Sequence, residues 1–305
     1  MIKGLFSFLS IFLIVVFYYS QDFILQIPKG FPEPIIPTES ELTVSRVELG
    51  KKLFFDNIMS RDSTLSCASC HMPEFAFTDR RTKGIGIRNQ LVSRNTPTLT
   101  NIVYSDKFLL DGVNPSLETQ IMVPIHEKNE FDFHILLIAE RMKKDPEYIL
   151  LSREAYDSEP TPYVITNSIA AFERTLLSGN SSFDKYNFQE QEEALSASAK
   201  RGLSLFEDKL YCSQCHSGFN FTNYALENNG LYLNYQDSGR FRMTGVDKDL
   251  SLFKVPTLRN IAVTYPYMHD GSIDNLEDVI KHYESGGMNH INKSRIIKPF
   301  SLSLQ

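Results

Sequence analysis

Cys67-Ala68-Ser69-Cys70-His71 decides how this chain is read, and it returns as Cys212-Ser213-Gln214-Cys215-His216. Two thiols separated by two residues and followed at once by an imidazole can form two thioethers with the vinyl groups of a haem. The histidine then gives the iron an axial nitrogen. All four cysteines of the chain fall inside the two copies, so none is left over. A structural zinc site also uses paired Cys-x-x-Cys elements, but normally with a short gap between them, whereas Cys70 and Cys212 stand 142 positions apart. A thioredoxin-like redox pair needs a strand-helix-strand setting that neither copy has. The pattern therefore predicts two covalent haem c groups, attached at Cys67, Cys70, Cys212 and Cys215, with His71 and His216 as axial ligands.

Two haem sites so far apart in a chain of 305 residues favour two domains. A net charge of -6 and a pI near 5.7, with no basic stripe, exclude nucleic acid as the expected partner. Residues 1–20 begin with Lys3 and continue through a run of Leu, Ile, Val, Phe and Tyr broken by Ser7 and Ser10. This reads as a secretory signal peptide with a cleavage point at Ser20-Gln21, the alternative being a retained N-terminal anchor. The expected location is the periplasm, with no stable membrane span after processing. No cysteine lies nearby, which excludes bacterial lipid attachment.

Residues 21–42, with Pro28, Pro32, Pro34 and Pro37, read as an extended lead-in. Val44, Val47, Leu49, Leu53 and Phe54 then mark a helical face, with Thr43 as N-cap. Residues 134–142 and 164–177 also read as helices, and the polar residues 180–195 as a linker. No period-2 alternation is long enough for a sheet, so the fold class is all-α. The expected domains are residues 43–179 and 196–305. An internal repeat relates them. Gly50-Lys51-Lys52-Leu53-Phe54 is matched by Gly202-Leu203-Ser204-Leu205-Phe206 ahead of the second haem motif. Beyond the motifs, Pro97-Thr98-Leu99-Thr100-Asn101-Ile102 is answered by Pro256-Thr257-Leu258-Arg259-Asn260-Ile261. Asp111-Gly112 is answered by Asp270-Gly271, and Leu117-Glu118 by Leu276-Glu277, all 159 positions on. One spacing across three landmarks implies two cytochrome c-like domains presenting equivalent backbone to two haems.

The paired haem motifs, Arg94-Asn95-Thr96-Pro97-Thr98 after the first, and Val255-Pro256-Thr257-Leu258-Arg259-Asn260 with Pro266-Tyr267-Met268-His269-Asp270-Gly271 after the second, resemble the bacterial di-haem cytochrome c peroxidase family over about residues 40–300. In that family the second haem takes its sixth ligand 17 residues after the proline of the Pro-Tyr-x-His-x-Gly turn, usually a methionine. Here the position is Tyr283, as in the MauG-like branch. By chemistry alone His282, Met268 and Met288 are rivals, and Tyr283 also reads as a packed aromatic on a helix over residues 276–283. A phenolate would favour ferric iron where a neutral thioether raises the potential. The repeat carries Tyr283 back onto Pro124, which cannot ligate iron. The histidine with which peroxidases of the family often close the first haem is replaced by Ile87. The first iron is thus expected to be five-coordinate or water-bound.

The resemblance further implies Gln120 and Glu130, on either side of Pro124, as the catalytic pair of the first haem. Breaking the O–O bond of a peroxide needs a group that moves a proton between its two oxygens, and a desolvated carboxylate does this near neutral pH. Read without the resemblance, Glu127, Lys128 and Glu130 are a solvated charged loop. A calcium ion held by the Asn95 side chain and the carbonyls of Thr264 and Pro266 is implied by the resemblance alone. The chain departs from the family in two ways. Leu110 stands where many relatives have a tryptophan between the haems, and the chain has no tryptophan at all. It also ends soon after Lys298-Pro299, where relatives add a final helix. Three functions are weighed: a peroxidase reducing hydrogen peroxide with electrons from a small c-type cytochrome, a MauG-like oxidase of an organic or protein substrate, and a non-catalytic electron carrier or sensor.

Overall fold

Thr43 caps the first helix as expected. Its side chain accepts the Arg46 N–H at 3.3 Å, and α1 runs Val44–Phe55. The structure, a computed structural model, describes residues 21–302, so the expected signal segment lies outside the described residues. Beyond α1 the first half holds α2 (Leu117–His126), α3 (Ile135–Met142), α4 (Pro146–Tyr156) and α5 (Pro162–Arg174). The second half holds α6 (Ser182–Phe188), α7 (Ala197–Ser204) running into a single π turn, β1 (Leu226–Glu227), α8 (Phe241–Thr244), β2 (Phe253–Lys254) and α9 (Leu276–Glu284). Strands β1 and β2 form one antiparallel pair, with Leu226 opposite Lys254. The chain is helix-dominated, as its periodicity implies.

The side-chain core belongs to the first half. Leu49, Leu53 and Phe54 of α1 meet Ile165, Ile169 and Phe172 of α5, and α2 to α4 add Ile121, Ile138 and Tyr148. Helices α1 and α5 approach closely because residue 50 is glycine: a Cβ there would lie 1.8 Å from the Ser168 carbonyl oxygen. The second half is built differently. Helices α7 and α9 bury none of their residues, although Leu203, Val279 and Ile280 lie on them. The apolar stripe of an amphipathic helix that does not bury itself against protein is left for another apolar surface to cover.

The repeat is visible in the backbone. Helices α2 and α9 begin 159 positions apart, capped by Ser116 and Asn275, each accepting an N–H three residues on. Asn101 and Asn260 both adopt left-handed φ, 58° and 59°, each ahead of a short 3-10 turn. The bridge Phe108–Asn114 has its counterpart in Tyr267–Ile273.

Two segments join the halves. The lead-in lies across the second half, where Phe31 packs on Phe219 at 4.6 Å and under the Arg259 guanidinium at 4.7 Å. Residues 180–195, expected as a linker, contain α6 rather than a loose tether. Asp184, fully buried on α6, takes both Nη1 and Nη2 of Arg259 at 2.6 and 2.7 Å. The polar composition that suggests a linker is in part a buried ion pair.

Candidate active site

Each Cys-x-x-Cys-His stretch folds into the same short 3-10 turn. Cys70 donates its N–H to Cys67 and Cys215 to Cys212, both at 3.2 Å, and His71 and His216 donate to the same carbonyls at 2.9 Å. The imidazoles are held alike. The Nδ1 of His71 donates to the Phe77 carbonyl at 2.9 Å, and that of His216 to the Phe221 carbonyl at 3.1 Å. Behind the carbonyls, Thr98 donates to Ala76 at 2.5 Å and Thr257 to Asn220 at 2.6 Å, which explains why the two Pro-Thr-Leu stretches match. Fixing the proton on Nδ1 leaves Nε2 with its lone pair free, the arrangement a metal-ligating histidine needs. Burial pushes both imidazoles below their ordinary value, which keeps them neutral. The four thiols are pushed up, chiefly by burial, Cys70 to about 11. A zinc or redox site needs thiolates, and these pockets disfavour them. Neutral, half-buried thiols beside an imidazole with Nε2 free fit a haem held by thioethers.

A cavity of about 60 Å³ opens beside the first motif, lined by Cys67, Cys70, His71, Gln120, Glu130 and Glu173 among others. His71 is the only histidine among its lining residues. Ile87, at the position where a closing histidine is expected in the family, is buried and gives its backbone N–H to the Glu130 carbonyl at 3.0 Å. The chain brings Gln120 and Glu130 together through Pro124. Pro124 sits inside the last turn of α2, where its missing N–H leaves the Gln120 carbonyl without its helical donor, and the helix runs on to His126 before the chain turns back. Phe131 donates to the Pro124 carbonyl at 3.1 Å and Phe133 to that of Ile125 at 2.8 Å, and the returning segment sets Glu130 on the cavity. Gly86 makes room for it, since a Cβ there would lie 1.8 Å from the Asn129 carbonyl oxygen. Burial first, then the Glu127 charge, pushes the Glu130 carboxyl up to about 7. Glu130 is therefore no solvated loop residue.

Sequence reasoning missed Glu173. It lies on α5, lines the same cavity, is 4 % exposed, and its Oε2 has no hydrogen-bond partner. Burial pushes its carboxyl up to about 8, with Arg174 opposing and Glu118 adding to the shift. The only signal was a charge inside an apolar run, Ile169-Ala170-Ala171-Phe172-Glu173, which helical periodicity assigns as readily to a solvent face.

On the second half, Tyr283 lies half-buried on α9, its ring 5.1 Å from that of His282. Burial pushes its phenol up. The rivals are placed as well: His282 Nε2 donates to the Asn229 carbonyl at 3.1 Å, the Met268 thioether accepts from Asn229 Nδ2 at 3.2 Å, and Met288 is exposed. Asn95 donates its backbone N–H to the His269 carbonyl at 2.9 Å, so it sits against the turn that carries Thr264 and Pro266. Its side-chain NH2 donates to the Arg81 carbonyl at 2.8 Å. Among the described residues no cluster of three or more His, Cys, Asp or Glu side chains could hold a metal ion.

The two halves are clamped where the repeat landmarks meet. Arg94 binds buried Asp111 at 2.7 Å and Asp237 at 2.6 Å, and Arg242 reaches Asp111 at 3.2 Å. Leu110, in the place of the relatives' tryptophan, accepts the Lys254 backbone N–H at 2.7 Å through its carbonyl.

Two histidine rings held alike, each behind a pair of half-buried thiols and related by one backbone repeat, define a protein of two cytochrome c-like haem units. Residues 44–193 match the family described as di-haem cytochrome c peroxidase. Methylamine utilization protein MauG of Methylorubrum extorquens strain AM1 is 37% identical over 90% of this chain and 78% of its own length. Cytochrome c551 peroxidase of Pseudomonas aeruginosa strain PAO1 is 34% identical over 83% and 75%. The crystal structure of a MauG-like protein associated with microbial copper homeostasis superposes with a TM-score of 0.86 at 29% identity, covering 92% of this chain and 91% of that one. The chain belongs to the di-haem cytochrome c peroxidase family: it is an oxidoreductase of the peroxidase type with two haem cofactors.

Proposed function

We propose that the chain reduces hydrogen peroxide at the first haem with electrons that enter through the second, and that thioethers from Cys67, Cys70, Cys212 and Cys215 hold both groups. His71 and His216 are their proximal ligands and Tyr283 is the sixth ligand of the second. The observation that carries this reading is Glu130, half-buried and lining one cavity with His71 and with no second histidine among the lining residues, where desolvation pushes its carboxyl up to about 7. Bound haem supplies iron that exchanges electrons with peroxide. The chain's residues supply the rest. The Glu130 carboxylate accepts a proton from one peroxide oxygen and returns it to the other, so that the O–O bond breaks with water leaving rather than hydroxide. Gln120 orients the peroxide. Reduction to two waters consumes two electrons and two protons, and the donor is a small c-type cytochrome or similar protein.

Steady-state turnover of peroxide with reduced c-type cytochrome tests the reading, together with a high-spin ferric signal in the resting protein that disappears when peroxide is added. Two six-coordinate low-spin haems would exclude a catalytic first haem. Tyr283 favours a second reading, peroxide-driven oxidation of an organic or protein substrate, and failure of cytochrome turnover with peroxide consumption intact would select it. An exported chain would carry out either reaction in the periplasm. Among the described residues no helix is long and apolar enough to cross a membrane.

A calcium ion between the halves, on Asn95 Oδ1 and the carbonyls of Thr264 and Pro266, completes the proposal. Its support is that the Asn95 NH2 is already committed to Arg81, leaving Oδ1 as the acceptor for a hard cation. One calcium per chain by metal analysis, lost in Asn95→Leu, is the expected result.

A further inference from the structure

Behind the two histidines of the haem motifs the repeat is not symmetrical. Thr98 and Thr257 hold equivalent carbonyls, those of Ala76 and Asn220, and each precedes the phenylalanine whose own carbonyl takes the histidine Nδ1–H. The first half thus has a methyl group where the second has a carboxamide, and the carboxamide is used. Asn101 Nδ2 donates to Asn220 Oδ1 at 3.0 Å, with the two residues only 1 % and 3 % exposed. Both amides are fixed in orientation. Ser178 gives its backbone N–H to Asn101 Oδ1 at 2.8 Å and its carbonyl accepts Asn101 Nδ2 at 3.0 Å, while Asn220 Nδ2 donates to the Tyr224 hydroxyl at 2.7 Å. On the first side the connection runs on. Thr100, next to Asn101, donates its N–H to Thr98 Oγ1 at 3.0 Å, the same hydroxyl that holds Ala76. Asn260, the repeat counterpart of Asn101, donates instead to the Ser178 hydroxyl, at 3.1 Å. One buried hydrogen bond therefore joins the segment that orients His71 to the segment that orients His216.

We propose that the Asn101–Asn220 hydrogen bond couples the two haems through their proximal sides, so that a ligand arriving at the first iron changes the readiness of the second to take an electron. The inference rests on the proposed open first iron and on His71 and His216 as proximal ligands. The bond from Nδ1–H to a carbonyl sets how strongly a ligating imidazole donates to its metal. A ligand bound opposite His71 changes the demand on that imidazole, and with it the bond to the Phe77 carbonyl. Linked hydrogen bonds in a low-dielectric interior polarise one another, and close-packed segments transmit displacement instead of absorbing it. Thr98 and Asn101 pass the change to Asn220, whose neighbour Phe221 holds His216. Such coupling is reciprocal: the factor by which reduction of the second haem alters ligand affinity at the first is the factor by which the ligand shifts that reduction.

Carbon monoxide is the probe, because it binds ferrous haem without bringing charge and so adds no Coulomb interaction between the irons. In the protein with both haems, the affinity of the first for carbon monoxide should differ by about fivefold or more between the ferric and ferrous states of the second. Saturating carbon monoxide should then shift the second haem's potential by a matching amount, about 41 mV at roughly 59 mV per tenfold. Asn220→Ala, which reproduces the residue found at Ala76, should bring the factor below about twofold, and Asn220→Asp, which keeps the acceptor for Asn101, should preserve it. Asn260→Ala removes the exposed bond to Ser178 and should leave the factor at its wild-type value; an equal loss there would show general loosening and refute the role of Asn220. Should Asn220→Ala not retain both haems, Asn220→Ser, whose side chain stops short of Asn101, takes its place. If carbon monoxide binds neither ferrous haem, the open first iron is wrong and this inference falls with it. If it binds and the wild-type factor is below about twofold, or survives in Asn220→Ala, the reading of the first haem stands and the coupling through Asn220 is refuted.

Discussion

Replacing Glu130 by glutamine keeps the side chain's size and removes its capacity to carry a proton. The wild-type carboxyl, pushed up to about 7 by burial and the Glu127 charge, changes ionisation inside the working pH range. Roughly a tenth is carboxylate at pH 6 and nine-tenths at pH 8, so a step needing the carboxylate should quicken about tenfold over that interval. Glu130→Gln should lower the second-order rate with peroxide by about 10²-fold or more, close to 2.7 kcal/mol of barrier, and abolish the rise with pH. Stability should move the other way. The group binds its proton more tightly folded (about 7) than unfolded (4.5), so folding stability falls as pH rises through that window, by about 3 kcal/mol at most. Glutamine escapes that penalty, and the variant's melting midpoint at pH 8 should be no lower than the wild type's. The assay is stopped-flow reaction with peroxide from pH 6 to pH 8, with haem content measured in parallel. A variant with both haems that reacts within about threefold of wild type, or keeps the tenfold rise, would refute the proton role.

Tyr283→Met should raise the potential of the second haem in spectroelectrochemical titration. If the phenolate prefers ferric iron by 10⁴-fold, the rise is about 240 mV at roughly 59 mV per tenfold. Gly86→Ala puts a Cβ where the Asn129 carbonyl oxygen lies 1.8 Å away and must displace the turn that presents Glu130. Peroxide reactivity should fall by about tenfold or more while the second haem's spectrum is unchanged. Arg259→Ala leaves Asp184 buried without its partner, and a loss of about 3–5 kcal/mol should lower the calorimetric midpoint by the order of 10 °C.

Much of this architecture is legible before any coordinates. The Thr43 cap and the apolar face of α1 are local signals, and local signals survive folding. The 159-residue spacing is equally legible, because it reflects a backbone motif repeated whole: cap, left-handed asparagine, bridge and helix. What the sequence hides is what depends on tertiary burial. Helix α2 carries a proline and offers no clean face, yet the reading of a helix at residues 276–283, carried back by the same spacing, points to it. Asp184 and Glu173 have the composition of solvated residues. One is paired with an arginine 75 residues on in the chain, and the other is enclosed by helices distant in sequence, so neither fate is encoded near the residue itself.

The repeat also explains how one backbone plan supports unequal sites. Helices α2 and α9 start alike, under Ser116 and Asn275, and their eighth residues, Pro124 and Tyr283, are equivalent. In the function proposed above, a tyrosine at that position would offer an oxygen to the second haem, and a proline would offer the first no ligand. The helices themselves end much alike: α9 stops at Glu284 and α2 at His126, past which Glu127 still gives its N–H to the Val123 carbonyl at 2.9 Å. The halves diverge beyond the helix end, where Phe131 and Phe133 return to the Pro124 and Ile125 carbonyls at 3.1 and 2.8 Å and set Glu130 on the cavity. An open coordination position and a carboxyl beside it would thus come from two separate departures from the repeat, one at the eighth residue of the helix and one in the segment that follows it.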